Sequence, residues 1–187
     1  MTRQVQRSDF LATALDVLGR EGHTGLKVGR LSRELGVTTG SLYHHFAGLP
    51  DLVDQLLRHW EVESTDRTAQ ALRTVTDADS AIAALKQAAL DLPHPAEAAI
   101  RAWSHSDPAV EVVQRRVDQH REDALTLAIS LLVGDERLAR ELGIVGLTIL
   151  TGFQQSGVPR DLPRLAMLLD HYEALVYASA GVPTHAR

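Results

Sequence analysis

The stretch Leu31-Ser32-Arg33-Glu34-Leu35-Gly36-Val37-Thr38-Thr39-Gly40-Ser41-Leu42-Tyr43-His44-His45-Phe46 decides the fold. Apolar residues at helical spacing run up to Gly36 and resume after Thr38, a residue type that accepts hydrogen bonds from the first turn of a helix. Two short helices separated by three or four residues around a glycine describe a helix-turn-helix, in which the second helix crosses the first steeply. Leu31, Leu35, Val37 and Leu42 then form the apolar seam. Ser32 is small where the second helix crosses, and Phe46 follows Leu42 inward at a spacing of four. Tyr43 has different neighbours on the helical wheel from Phe46 and is expected to be amphipathic and exposed. The N-terminal residues of such a second helix meet base edges in a DNA major groove.

Outward from this motif the pattern is helical throughout. Ser8 is the expected N-cap of a first helix with Phe10, Leu11, Ala14, Leu15 and Leu18 inward, closed by Gly22. Pro50 is expected at the first position of a long fourth helix, where its missing N–H costs nothing. Asp77 to Ser80, Pro95, Pro108, Asp135 and Leu162 begin five more helices, and Gly134, Gly157, Pro159 and Gly181 punctuate their ends. No stretch alternates with β-branched enrichment. The chain is therefore read as all-α with about nine helices: an N-terminal three-helix helix-turn-helix domain over residues 1–48, and a C-terminal helical ligand-binding and dimerisation domain over residues 49–187.

Composition narrows the function. The 187 residues are 44% hydrophobic and 23% charged, as in globular proteins, and too few are Gly (13) or Pro (7) for a low-complexity chain. The absence of cysteine removes disulfides, thiolate nucleophiles and Cys-based metal sites. His44 and His45 diverge by about 100° on a helix and do not converge on one ion, and no two histidines stand four apart, so no metal and no cofactor are expected. Nor is there a Gly-rich phosphate loop or a Gly-x-Ser-x-Gly elbow, and no catalytic residues are assigned. Charge is uneven: residues 1–46 carry six basic against four acidic residues, in a chain of net charge −5. A basic module on an acidic body suits a nucleic-acid partner. The charge-interrupted N-terminal stretch contains neither a signal peptide nor a membrane span, and a cytoplasmic protein without membrane contact is expected. Asp118, Glu122 and Asp123 among Arg115, Arg116 and Arg121 read as a solvated, ion-paired helix face.

Gly40-Ser41-Leu42-Tyr43-His44-His45-Phe46 followed by Asp51-Leu52, together with Arg20-Glu21-Gly22 closing the first helix, resembles the TetR family of transcriptional regulators across residues 7–53. Arg101-Ala102-Trp103 and Asp107-Pro108 with Val117-Asp118 are similar to one C-terminal subgroup. The resemblance implies that Thr38 and Tyr43 contact phosphates, that Thr39, Gly40 and His44 face base edges, and that Ser41 contacts one or the other. Arg3, Arg7, Lys27 and Arg30 are candidates for flanking phosphate contacts. Three positions depart from the family pattern. Leu49 stands where a phosphate-binding lysine is usual, Lys27 where Thr or Ser normally caps the second helix, and Thr39 lacks a long base.

The same resemblance implies a homodimeric repressor on a palindromic double-stranded DNA operator, released by a small-molecule effector. The last helix carries an unusually wide apolar arc, which suggests burial on two sides. Small residues in the helix before it permit close packing. Leu142, Gly146, Ile149, Leu165, Leu169, Tyr172 and Val176 are the expected dimer interface. Trp60, Trp103, His105, His120, Phe153 and Gln154 are the expected ligand-binding residues, as an apolar cavity with a few polar groups requires. The alternative is an all-helical small-molecule binding protein that has lost DNA binding.

Overall fold

The structure, a computed structural model, describes residues 5–156 and 161–181. Arg3, Gly157 and Pro159 therefore lie outside the described residues. Among those described there are nine α-helices and no strand: α1 (Arg7–Glu21), α2 (Val28–Glu34), α3 (Thr39–His45), α4 (Leu49–Leu72), α5 (Ala78–Leu90), α6 (His94–Ser104), α7 (Pro108–Val133), α8 (Glu136–Gln155) and α9 (Leu162–Ser179). A short 3-10 turn, His23–Gly25, follows α1.

Local chemistry accounts for most of the boundaries. Asp77 caps α5 through the backbone N–H of Ser80, and Asp135 caps α8 through those of Arg137 and Leu138. The start of α1 differs from the expectation. Its N-cap is Gln6, not Ser8, because Asp9 reaches back 2.7 Å to accept from the Gln6 N–H and closes a capping box. That early start brings Val17 into the core with Phe10, Leu11, Ala14 and Leu18, and leaves Leu15 only half-buried. Pro50 stands second in α4 rather than first, still among the positions whose N–H has no intrahelical partner.

Contacts divide the chain into two compact units that interleave in sequence: residues 1–63 with 93–114, and residues 64–92 with 115–187. By packing, then, α6 and the start of α7 join the helix-turn-helix elements, whereas the sequence reading divides the chain by motif at residue 48. In the first unit α6 lies close along α1. Gly19 is where they touch, since a Cβ there would stand 2.9 Å from the backbone nitrogen of Ala96. Phe10 meets Phe46 edge-on at 5.9 Å, and Leu31, Leu42 and Leu52 are fully buried. In the second unit α8 packs on α9 and α5 on α9. Its core joins Ile82, Ile129, Ala139, Leu142, Tyr172 and Val176 in one cluster and Leu150, Phe153, Leu165 and Leu169 in another.

Candidate nucleic-acid interface and internal cavity

The turn between α2 and α3 is closed by the backbone. Gly36 adopts φ 66°, a left-handed conformation that side chains disfavour, and donates to the carbonyl of Arg33. Val37 N–H then reaches back 2.9 Å to the carbonyl of Ser32, completing a Schellman motif that satisfies the end of α2. Thr38 is the N-cap of α3 in extended conformation, and its side chain makes no cap hydrogen bond. The exposed hydroxyl is thus not committed to the helix.

Helix α3 has two faces. Leu42 points inward, with Phe46 just beyond the helix end, while Thr38, Thr39, Gly40, Tyr43 and His44 face solvent and Ser41 is half-buried. Tyr43 is 58% exposed. A buried aromatic would satisfy the hydrophobic effect; an exposed phenol in the middle of a short helix does not, and it presents a hydrogen-bonding tip to the outside. Gly40 leaves open space, with only Thr38 Oγ1 at 3.6 Å from where its Cβ would stand. The exposed backbone there can approach a surface closely.

Two of the three described flanking bases, Arg7 and Arg30, have partners within the chain. Arg7 donates 2.6 Å to the carbonyl of His45 and lies over the Phe46 ring at 5.4 Å, so it caps α3. Arg30 pairs with Glu21 at 2.6 Å and Glu34 at 2.9 Å, and Arg20 with Glu34 at 3.1 Å and Asp16 at 3.3 Å. Its hydrogen bond with Glu34, reinforced by neighbouring carboxylates, holds the Arg20 guanidinium above its ordinary pKa. Each such surface pair contributes little alone, but the chain of them ties α2 to α1. Lys27 is exposed at the N-cap of α2.

Asp51, in the first turn of α4, accepts from Gln55 Nε2 and from the backbone N–H of Ala47, both at 2.8 Å. The Gln55 contact first, and the Ala47 amide second, hold its carboxyl below the usual range.

The second unit contains a cavity of about 80 Å³, walled by Ile82, Leu85, Leu125, Leu150 and Leu169. Its polar lining comprises Arg67, Thr68, Lys86, Arg121, Tyr172 and Glu173. Gly146 admits the Tyr172 ring: a Cβ there would stand 2.6 Å from the phenol oxygen. That phenol donates 2.7 Å to the carbonyl of Leu142, and burial pushes its pKa up. Lys86 Nζ sits 2.5 Å from Asp170 and 2.6 Å from Glu173. Burial pulls that ammonium down, but the hydrogen bonds and charges of the two carboxylates outweigh it and leave Lys86 above its ordinary pKa.

None of the six expected ligand residues lines this cavity. Trp60 is core, its Nε1 donating 2.9 Å to buried Glu97, and Trp103 stacks on His23 at 5.2 Å. His105 is exposed and His120 half-buried. Phe153 fills the α8–α9 core, and Gln154, 2% exposed, has both amide atoms buried without a partner. Nor do the seven expected interface residues form a surface. Leu165 and Val176 are fully buried; Leu142, Gly146, Leu169 and Tyr172 are buried, and Ile149 partly so, all within the chain's own core. The outward side of α8 and α9 carries Ile144, Val145, Met167 and Leu175 instead. Arg121, read as part of a solvated face, is buried and donates 2.8 Å to Ser64 Oγ.

Among the described residues no group of histidines and carboxylates is placed to hold a metal ion, and no helix is long and apolar enough to cross a membrane. No curated protein sequence matches the chain. The fold is similar to that of a TetR-family transcriptional regulator from Streptomyces coelicolor, with TM-score 0.78 and 21% identity over 93% of this chain and 95% of that one. A transcriptional regulator from Saccharomonospora viridis, determined in complex with choline, gives 0.75 and 17% over 90% and 95%. The regulator FadR from Bacillus subtilis, in complex with stearoyl-CoA, gives 0.68 and 15% over 93% and 99%. Residues 10–56 match the model for bacterial regulatory proteins of the tetR family. That match covers the elements from α1 to the start of α4, and beyond them the likeness to these regulators is one of fold.

Proposed function

We propose that the protein is a homodimeric repressor that holds a palindromic operator and releases it when a small molecule enters the second unit. The observation that carries this reading is the division of α3 into an inward face of Leu42, with Phe46 following, and an outward row of Thr38, Thr39, Gly40, Tyr43 and His44. Hydroxyl and phenol tips fix register on phosphates, whereas groups deep in the groove read bases. With Thr39 in place of a long base, readout leans on methyl contact with thymine and on DNA shape. The outward residues Ile144, Val145, Met167 and Leu175 support pairing of two copies through α8 and α9, which sets two recognition helices about 34 to 36 Å apart. Binding of a small molecule is supported by the choline and stearoyl-CoA complexes of proteins with this fold. Allosteric coupling is reciprocal, so DNA must weaken effector binding by the factor with which effector weakens DNA binding.

The test is selection from a random duplex library at moderate salt. A symmetric consensus with half-sites about ten base pairs apart is expected. On that duplex Tyr43→Phe lowers affinity about equally for cognate and altered sequences, and His44→Ala changes preference within the half-site. Equal losses on cognate and scrambled duplex for both variants would refute the division of roles.

A second reading, a helical small-molecule binder without DNA affinity, is favoured by Leu49 at the usual lysine position and by the internal commitments of Arg7 and Arg30. Salt titration separates the two, because each neutralised phosphate contributes about 0.9 to the slope of log affinity against log salt.

A further inference from the structure

We infer that the cavity of the second unit selects a small organic anion, a carboxylate with a compact apolar body, whose head is held by Arg67. This rests on the reading of that cavity as the effector site and names the chemistry that it recognises.

The polar groups around the cavity differ in what they have left to offer. Lys86 and Glu173 satisfy one another at 2.6 Å, with Asp170 as a second partner of the ammonium. The Glu173 carboxylate is thereby tied to the ammonium, and the one negative charge left over from the triad is outweighed at the cavity by the guanidinium groups of Arg67 and Arg121. The Thr68 hydroxyl donates 3.1 Å to the carbonyl of Ser64, and Tyr172 donates to the carbonyl of Leu142. Both have spent their protons. Arg121 also lines the cavity, with its guanidinium oriented by Ser64 Oγ.

Arg67 is different. Its Nη1 donates 3.2 Å to the carbonyl of Asp91, while its Nε is buried and has no hydrogen-bond partner. A buried donor of a charged group left unmade is costly, and a ligand that supplies the acceptor recovers that cost. The Nε edge of a guanidinium matches the two oxygens of a carboxylate, and such a charge-assisted bond is stronger than one to a neutral hydroxyl. The remainder of the ligand would lie against Ile82, Leu85, Leu125, Leu150 and Leu169, which is apolar and aliphatic. A volume of about 80 Å³ favours a short body over a long acyl chain.

The test uses the full chain and a matched series at pH 7: hexanoate, 1-hexanol and hexylamine, which share a body and differ in charge. Calorimetric titration should show hexanoate binding at least about ten-fold more tightly than hexanol, the size of effect expected when a charged hydrogen bond replaces a neutral one. Hexylammonium should bind more weakly than either. Arg67→Gln should abolish the preference, bringing hexanoate to the level of hexanol, while Arg67→Lys retains part of it. The wild-type series alone decides the question if a variant fails to fold.

Equal binding of the acid and the alcohol, tighter binding of the amine, or an undiminished preference in Arg67→Gln would overturn the inference. Operator release distinguishes it from the broader reading. Anion-selective binding that leaves DNA affinity unchanged upholds the anion site and refutes its role as effector site. Release by hexanol or hexylamine but not by hexanoate refutes the anion site and leaves the ligand-responsive regulator standing.

Discussion

Gly146 and Gly152 occupy the same helix, and Ala at each should move stability in opposite directions. A Cβ at Gly146 would stand 2.6, 2.7 and 2.8 Å from three atoms of Tyr172, well inside ordinary contact. The Tyr172 ring is packed in the core and tied by its hydroxyl to the carbonyl of Leu142, so it has little room to give. Overpacking of this kind costs about 1 to 3 kcal/mol, and displacing the phenol from its acceptor adds about 1 kcal/mol. Exchanging Gly for Ala inside a helix returns about 1 kcal/mol. Gly146→Ala should therefore lose about 1 to 3 kcal/mol in urea unfolding. At Gly152 nothing lies within 4 Å of the added methyl, so only the helix-propensity gain remains. Gly152→Ala should gain up to about 1 kcal/mol. A double-mutant cycle attributes the clash to its cause. In a Tyr172→Leu background the cost of Gly146→Ala should shrink, with a coupling of about 1 to 3 kcal/mol as for other residues in direct contact. If Gly146→Ala is as stable as Gly152→Ala, or the cycle shows no coupling, the packing of α8 on α9 around Tyr172 is wrong.

Two further outcomes follow from buried and charged polar groups. Gln154→Met removes a buried amide whose two polar atoms both lack partners, at nearly constant volume. Stability should rise by about 1 to 3 kcal/mol, read as a higher urea midpoint with an unchanged m-value; a loss would show that the amide is satisfied in solution. Asp51→Asn should destabilise the protein at pH 7. Because the carboxyl pKa is lower in the folded state than in the unfolded chain, its contribution is fully present above the unfolded value and disappears as pH falls through the folded one. Melting curves of the two proteins should converge in strong acid, and a gap independent of pH would refute the Gln55 and Ala47 contacts as its origin.

The helix-turn-helix was legible because its determinants are local. Gly36 is needed for one left-handed turn, Thr38 precedes a helix, and Leu42 and Phe46 stand one turn apart with Tyr43 beside them; each is a relation within five residues. The exposed row of α3 follows from those relations alone. The cavity depends on relations that span the chain. Arg121 looks like one charge of a solvated face until Ser64, 57 residues earlier, supplies its acceptor. Trp60 is large and carries a polar handle, which suits a ligand site as well as a core. Glu97, 37 residues later, decides for the core by accepting its N–H. Likewise Arg7 and Arg30 are bases near α3, and only the positions of the His45 carbonyl and of Glu21 show that both have internal partners.

The apolar arc of α9 shows the same limit in another form. A width greater than one stripe exceeds what a single packed face uses, and α9 carries one buried stripe together with exposed apolar residues. Leu165, Leu169, Tyr172 and Val176, at spacings of four, three and four, form the stripe that the chain closes on itself. Leu162, Met167 and Leu175 lie off that stripe and are exposed, and Ile144 and Val145 are exposed on α8 in the same way. Periodicity gives the number of faces but carries no information on which face meets which partner. The assignment depends on what α8 presents. Gly146 is the small residue that admits Tyr172, so the inward stripe is the one where glycine meets aromatic. The row that remains combines β-branched and flexible side chains with Thr148, whose hydroxyl is spent on the carbonyl of Ile144. Such a row presents mostly methyl and methylene groups, and its one imidazole, exposed His171 between Met167 and Leu175, keeps Nδ1 2.7 Å from the Met167 carbonyl. A face of that kind suits a second copy of itself, because a two-fold axis sets the same residues against each other and asks for shape and apolar area rather than for complementary charge.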